Sequence, residues 1–249
     1  MKFLCSIFSV LLLQMPSHAI SMKTMSQDNS AIKYNASNAE KPGICIEVIN
    51  SIMKKYSDIQ ITGLDTQAPL TRIEQGLESG QIDAFFCLLK SPERAAKFNF
   101  NETPIYKVNH VVITKADDKV EIKDMAALKS LSEQSAVMVA QGSALAKFLE
   151  SQGVKIESNT KDEVANLNKL LLGRGRFYYA QDLSALASIN EGKLDLSKFR
   201  ILPTSFKEEA QYVAFSKQTT AASIQKISAA IDDMKKSGEL DKIVSKYQK

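Results

Sequence analysis

Short apolar runs alternate with amphipathic helical stretches along this chain, and the alternation starts afresh once, after Thr114. Strands show a side-chain period of two and helices one near 3.6, so this order specifies an α/β fold. The spacing predicts strands at 31–36, 59–64, 82–89 and 108–114. Between them it predicts helices opening at Pro42-Gly43 and running to Tyr56, and over 70–77. The continuous apolar run at 82–89 has the character of a buried parallel strand. Beyond the restart, helices are expected at 125–131, from Gly142-Ser143 to about 152, at 163–172 and at 183–190. Strands are expected at 136–140, 154–157, 177–180, 199–202 and 211–215. The C-terminus is helical, with Ile224, Ile227, Ile231 and Met234 in register, a break at Gly238, and Leu240, Ile243 and Val244 resuming.

A pattern that restarts and then returns implies two lobes, one inserted in the other. The expected division is 26–112 plus 212–249 for the first lobe and 113–211 for the second. Two hinge crossings are expected, near Val111–Thr114 and Tyr212–Ser216. No tandem repeat or low-complexity segment interrupts this order.

Residues 1–19 read as a leader. Lys2 gives a positive start, 3–13 is almost wholly apolar, and Ser17-His18-Ala19 sets small residues at a cleavage position near Ala19. The run is too short to cross ~30 Å of hydrocarbon as a helix. A soluble, exported protein is expected. A formal charge of +4 over 249 residues, with no run of five basic residues, argues against a nucleic-acid partner. In an exported chain Cys45 and Cys87 are either two small buried residues or a disulfide. With His110 as the only histidine outside the leader, neither a metal site nor a Cys–His nucleophile is expected.

Residues 80–106 carry the most specific pattern. Gly80, Asp83 and Ala84 precede an apolar strand, then come Ser91, Glu93, Arg94 and Phe100, with Pro104 and Tyr106 one residue late. This resembles the bacterial extracellular solute-binding proteins of family 3, the binding components of polar amino-acid uptake systems. Gly43-Ile44-Cys45-Ile46-Glu47, Gln141-Gly142-Ser143 and the segment from Tyr212 to Ser216 are similar to further parts of that pattern, over about 28–248. The resemblance implies the two-lobed periplasmic binding protein fold of type II, each lobe a mixed sheet flanked by helices.

It also implies a site. Arg94 would hold a ligand carboxylate, since a guanidinium offers a planar fork of donors at any relevant pH. Ser91 would add a hydroxyl, and Gly142 with Ser143 would offer the N–H groups of a helix start. Tyr34 would stack on the ligand. The family's acidic partner for an α-amino group falls on Gln181, with Asp182 one residue further on, a departure that points away from ordinary amino acids. Asp182 reads equally as a helix cap. Arg72, Tyr178 and Tyr179 read as surface or core residues as readily as ligand contacts, and Glu47 as structural.

The resulting expectation is a periplasmic, monomeric binding protein. It takes a small carboxylate-bearing solute between its lobes, without cofactor or metal, for delivery to an ABC permease. The alternatives are a sensing domain for a signalling partner and a dehydratase-like enzyme on the same fold. Glu102, Lys90 and Asp182 are acid–base groups such an enzyme would need, but no spacing singles them out.

Overall fold

The computed structural model describes residues 19–28 and 30–248. The leader expected over 1–19 lies outside the described residues except for Ala19. The chain opens with strands β1 (Ile20–Lys23) and β2 (Ser26–Gln27), then helix α1 (Ile44–Lys55). After it come β3 (Ile59–Thr62), β4 (Gln67–Ala68), α2 (Leu70–Ser79), β5 (Ala84–Leu89), α3 (Pro92–Lys97), β6 (Asn99–Phe100) and the long β7 (Tyr106–Lys115). The second part contains α4 (Met125–Ser132), β8 (Val137–Met138), α5 (Ala144–Ser151), β9 (Ile156–Glu157), α6 (Glu163–Leu171), β10 (Phe177–Gln181) and α7 (Asp182–Glu191). A single 3-10 turn and β11 (Phe199–Ile201) follow, then the second long strand β12 (Lys207–Phe215) and helices α8 (Ala221–Lys236) and α9 (Glu239–Ser245).

β1 pairs in parallel with β3, placing Ile20 opposite Ile59, and β2 pairs in parallel with β4. The main sheet runs β5-β12-β7-β10-β8-β9, with β6 beside β12 and β11 beside β7. Within it β12 and β7 are antiparallel, Lys207 opposite His110 and Gln211 opposite Tyr106. The C-terminal half of β12 pairs with β5, while the far half of β7 pairs with β10 and β11. These two long strands are the crossings between the lobes. They pair with each other over 106–110 and 207–211, just before the stretches expected from sequence.

The packing divides in the same way. One core gathers the apolar faces of α1, α2, β5, α8 and α9, including Ile49, Ile52, Ile73, Phe85, Phe215, Ile231 and Met234. Two further cores flank the second lobe's sheet. Val112, Phe177 and Tyr179 lie in one, and Val111, Ile113 and Tyr178 in the other, following the period-two alternation of a strand buried on both faces. Both tyrosines are therefore core residues. No helix among the described residues is long and apolar enough to cross a membrane.

Three local expectations are corrected. Residues 31–36 form no strand. Tyr34 N–H bonds back to Ser30 O, and Asn35, Ser37 and Asn38 make local side-chain turns, so the alternating Ile32 and Tyr34 sit on a loop. The first strand is instead β1, directly after the stretch expected as a leader. Finally, β5 is buried as its apolar run required, yet its ladder partner β12 runs antiparallel.

Cys45 of α1 and Cys87 of β5 form a disulfide with Cα atoms 6.1 Å apart, which resolves the two readings open from sequence.

Candidate functional site

The loop carrying residues 30–42 is fastened by the start of α1. Ile44 and Cys45 donate their backbone N–H groups to the carbonyls of Ile32 and Lys33, at 3.0 and 3.1 Å. Those donors have no partner within their own helix, so the loop caps it. Gly43 sits at φ 105, where a Cβ would lie 2.2 Å from Lys33 O; only glycine allows this approach.

Opposite the loop, β5 is bulged. Cys87 has φ 63 and the β5–β12 register shifts between Tyr212 and Ala214. Neighbouring carbonyls of this irregular stretch are taken by the loop rather than by the ladder. Tyr34 Oη donates to Phe86 O at 2.9 Å, and Lys33 Nζ donates to Cys87 O at 3.0 Å. Lys33 Nζ also donates to Gln211 Oε1 on β12, at 3.2 Å. The ammonium end of Lys33 is enclosed although the residue as a whole is partly exposed. Burial, reinforced by the neighbouring Arg94 and opposed by Glu209, lowers its pKa to about 8.

Arg94 lies on α3, whose N-terminus Ser91 caps by accepting from Arg94 N–H at 3.3 Å. The hydroxyl of Ser91 in turn donates to Glu93. The guanidinium turns back on its own lobe. Nε and Nη2 donate to Glu74 Oε1 of α2 at 3.0 and 2.6 Å, and Nη1 donates to Leu89 O at 3.0 Å. Three of its five N–H groups are engaged, and its charge already faces a carboxylate.

A second polar group sits at the junction of the crossing strands. His110 of β7, 2% exposed, has Nδ1 3.1 Å from Tyr179 Oη and Nε2 3.1 Å from Glu209 Oε2, the latter contact not aligned as a hydrogen bond. Lys207 Nζ donates to the other oxygen of Glu209 at 2.8 Å, and Gln181 Nε2 donates to Oε2 at 3.0 Å. The contacts with His110 and Lys207 outweigh burial and hold the Glu209 carboxyl down at about 2. Phe148 of α5 packs against both His110 and Tyr179. Beside this group, Asp182 accepts from Asn109 N and Nδ2 at 3.2 and 3.0 Å and from Leu183 N at 2.8 Å.

The residues expected from sequence are thus distributed unevenly. Arg94 and Lys33 both reach carbonyls of β5, Leu89 O and Cys87 O, and Gln181 and Asp182 reach the hinge strands through Glu209 and Asn109. Ser91 and Ser143 serve as helix caps, Ser143 Oγ accepting from Ala146 N at 3.1 Å. Gly142 precedes it at φ 69 with open space where a Cβ would be. Tyr34 is corrected: at 4% exposure, with its ring 5.7 Å from Phe85 and its hydroxyl spent on Phe86 O, it belongs to the first lobe's core rather than to a ligand surface. Glu47 is structural, accepting from Tyr247 and Lys246. Lys33, Glu74, Glu209 and Gln211 were missed because they converge from separate segments and belong to no motif.

Two adjoining cavities open between the lobes alongside the 30–42 loop. One of about 430 Å³ lies between Asn35, Asn38 and Tyr247 on one side and Ala187 and Asn190 of α7 on the other. The second, about 490 Å³, runs between Ser30–Ile32 on one side and the start of α6 and one side of α7 (Ser184, Ala187, Ser188, Glu191) on the other.

This arrangement, two lobes joined by paired crossing strands with polar groups gathered at the junction, is the type II periplasmic binding protein fold. The family model for bacterial extracellular solute-binding proteins, family 3, matches residues 24–249, and the chain belongs to that family. No curated relative matches by sequence. Among solved structures, the second substrate-binding domain assigned to an amino acid ABC transporter of Streptococcus pneumoniae is similar. It shows a TM-score of 0.71 and 21% identity over 91% of this chain and 99% of that one. The extracellular-binding protein YtmK of Bacillus subtilis, assigned to amino-acid ABC transport, gives 0.74 and 16% over 92% and 97%. An ancestral arginine-binding protein bound to glutamine gives 0.61 and 21% over 91% and 97%. At these identities the likeness establishes the fold.

Proposed function

We propose that this solute-binding protein captures a small carboxylate-bearing solute between its lobes, in the periplasm, and delivers it as a monomer to an ABC permease. The proposed lobes are 26–112 plus 212–249 and 113–211, closing about β7 and β12. Nothing reacts in this reading; affinity comes from placed polar groups and expelled water. The observation that carries it is the pair of cations beside the crossing strands: Arg94 Nη1 donates to Leu89 O and Lys33 Nζ to Cys87 O, both on β5, and the guanidinium adds to the cost of charging Lys33. An acid group relieves that repulsion.

The neutral Gln181, which donates to Glu209 where the resemblance expects an acid, supports a ligand without an α-amino group. Asp182 is taken up by Asn109 and Leu183, and Glu209 by Lys207, His110 and Gln181. Glu209 is thereby met by a cation of its own strand, and Asp182 serves the backbone of β7 and α7.

Thermal denaturation with a panel of organic acids and L-amino acids tests this. A ligand at 100 times its Kd adds about 2.7 kcal/mol, which for a chain of this size raises Tm by roughly 5–10 °C. The proposal expects such a shift from an organic acid and little from common amino acids. A large shift from an amino acid, with none from simple acids, contradicts it.

A further inference from the structure

We infer that Lys33 is the ionic anchor of the ligand's acid group, a ligand-touching residue that no part of the family pattern marked. The inference rests on the proposed capture of a carboxylate and names the cation that performs it.

Two cations stand at this place, and they differ in what balances them. Arg94 donates twice to one oxygen of Glu74, so its charge is met inside its own lobe. Lys33 touches only neutral oxygens, Cys87 O and Gln211 Oε1. Among the described residues no carboxylate is in ion-pair contact with it. Glu209, the anion of the neighbouring hinge strand, is engaged by Lys207 and His110. An enclosed ammonium left with an unneutralised charge is costly unless a partner arrives.

The scaffold nevertheless holds Lys33 from three sides. Gly43 and the α1 N-terminus fix its backbone, the bulge at Cys87 presents a carbonyl to its ammonium, and Gln211 meets it from the strand that crosses between lobes. Two of its three N–H groups are used, and one remains. A carboxylate that takes this remaining donor completes the set. Contact with Gln211 also makes Lys33 sensitive to the hinge, so an acid drawn onto it sits where closure is felt.

The charged groups around Lys33 are Arg94 from α3 and Glu209 from β12, and the Glu209 carboxyl stays ionised throughout the window from pH 7 to 9. With the lysine itself depressed to about 8, acid binding should weaken across this window.

The experiment is isothermal titration of sodium succinate, sodium pyruvate and L-glutamate into wild type, Lys33→Met and Lys33→Arg, at pH 7 and pH 9, with apo folding checked by circular dichroism. The expected result is that the acid bound by wild type binds at least 30-fold more weakly to Lys33→Met and recovers in Lys33→Arg. Wild-type affinity should fall about tenfold from pH 7 to pH 9, while Lys33→Arg stays flat. Wild-type affinity in Lys33→Met, or the same pH dependence in Lys33→Arg, overturns the anchor while leaving acid capture standing. Absence of binding by every probe to wild type overturns the proposed capture itself, and the anchor with it.

Discussion

Glu74 Oε1 lies 2.6 Å from Arg94 Nη2, a contact between residues twenty positions apart that satisfies the guanidinium within its own lobe. The arginine on which the family resemblance turns therefore carries an internal carboxylate, in the place where an acid-bearing ligand would seek its fork. The pair is partly exposed, 21% and 29% for the two side chains. Its net worth is accordingly about 1 kcal/mol, small enough for an incoming acid to displace.

Glu74→Gln tests that relation. The amide keeps one hydrogen bond but removes the competing charge, so acid affinity should rise severalfold while stability falls by no more than about 1 kcal/mol. Calorimetry with the acid bound by wild type checks it. Weaker binding in the variant would mean that Glu74 positions Arg94 instead of competing with the ligand.

Lys33→Met should separate stability from binding. The lysine's folded pKa, about 8, is below the ordinary 10.5, so the charged form is disfavoured in the folded state. That penalty, about 3 kcal/mol, is fully present below pH 8 and disappears as pH rises towards 10.5. Removing the charge relieves it, while leaving two acceptors without a donor costs about 1 kcal/mol each. A net gain of about 1 kcal/mol at pH 7 is expected in urea titration, and the wild type should close that gap as pH rises from 8 to 10.

How far the sequence led can be judged at particular positions. The alternation of Val111, Val112 and Ile113, and the helical spacing of Ile227, Ile231 and Met234, located β7 and α8 well, because burial on regular elements leaves a periodic trace. The loop at 31–36 imitated a strand because Ile32 and Tyr34 alternate; their burial comes from packing against α1 and β5. β1 was missed because four residues leave too short a pattern. The site was less legible than the fold. Arg94 stood in a motif, but Glu74, Lys33, Glu209 and Gln211 meet only through the topology that brings α2, the 30–42 loop and β12 together.

Glu209→Gln should flatten the acid limb of stability. The wild-type carboxyl is held at about 2, below its ordinary 4.5, so its contribution is present above pH 4.5 and is lost as pH falls towards 2. The size is about 3 kcal/mol. Melting temperatures between pH 2.5 and 6 should fall less steeply in the variant, and parallel curves would refute the assignment.

Reduction of Cys45–Cys87, or its replacement by Ala at both positions, should cost about 2–5 kcal/mol, since the bond closes a loop of sequence separation 42. Thermal melts with and without reductant measure this. Because Cys87 also presents its carbonyl to Lys33, acid affinity should fall in the same samples.

The account stands on an acid group being gripped by cations beside the crossing strands, and Arg94→Ala tests this most directly. Calorimetry with the acid bound by wild type should show a loss of about 2–5 kcal/mol in the variant, as truncating one partner of a buried charge pair does. Equal affinity in the two proteins would contradict it.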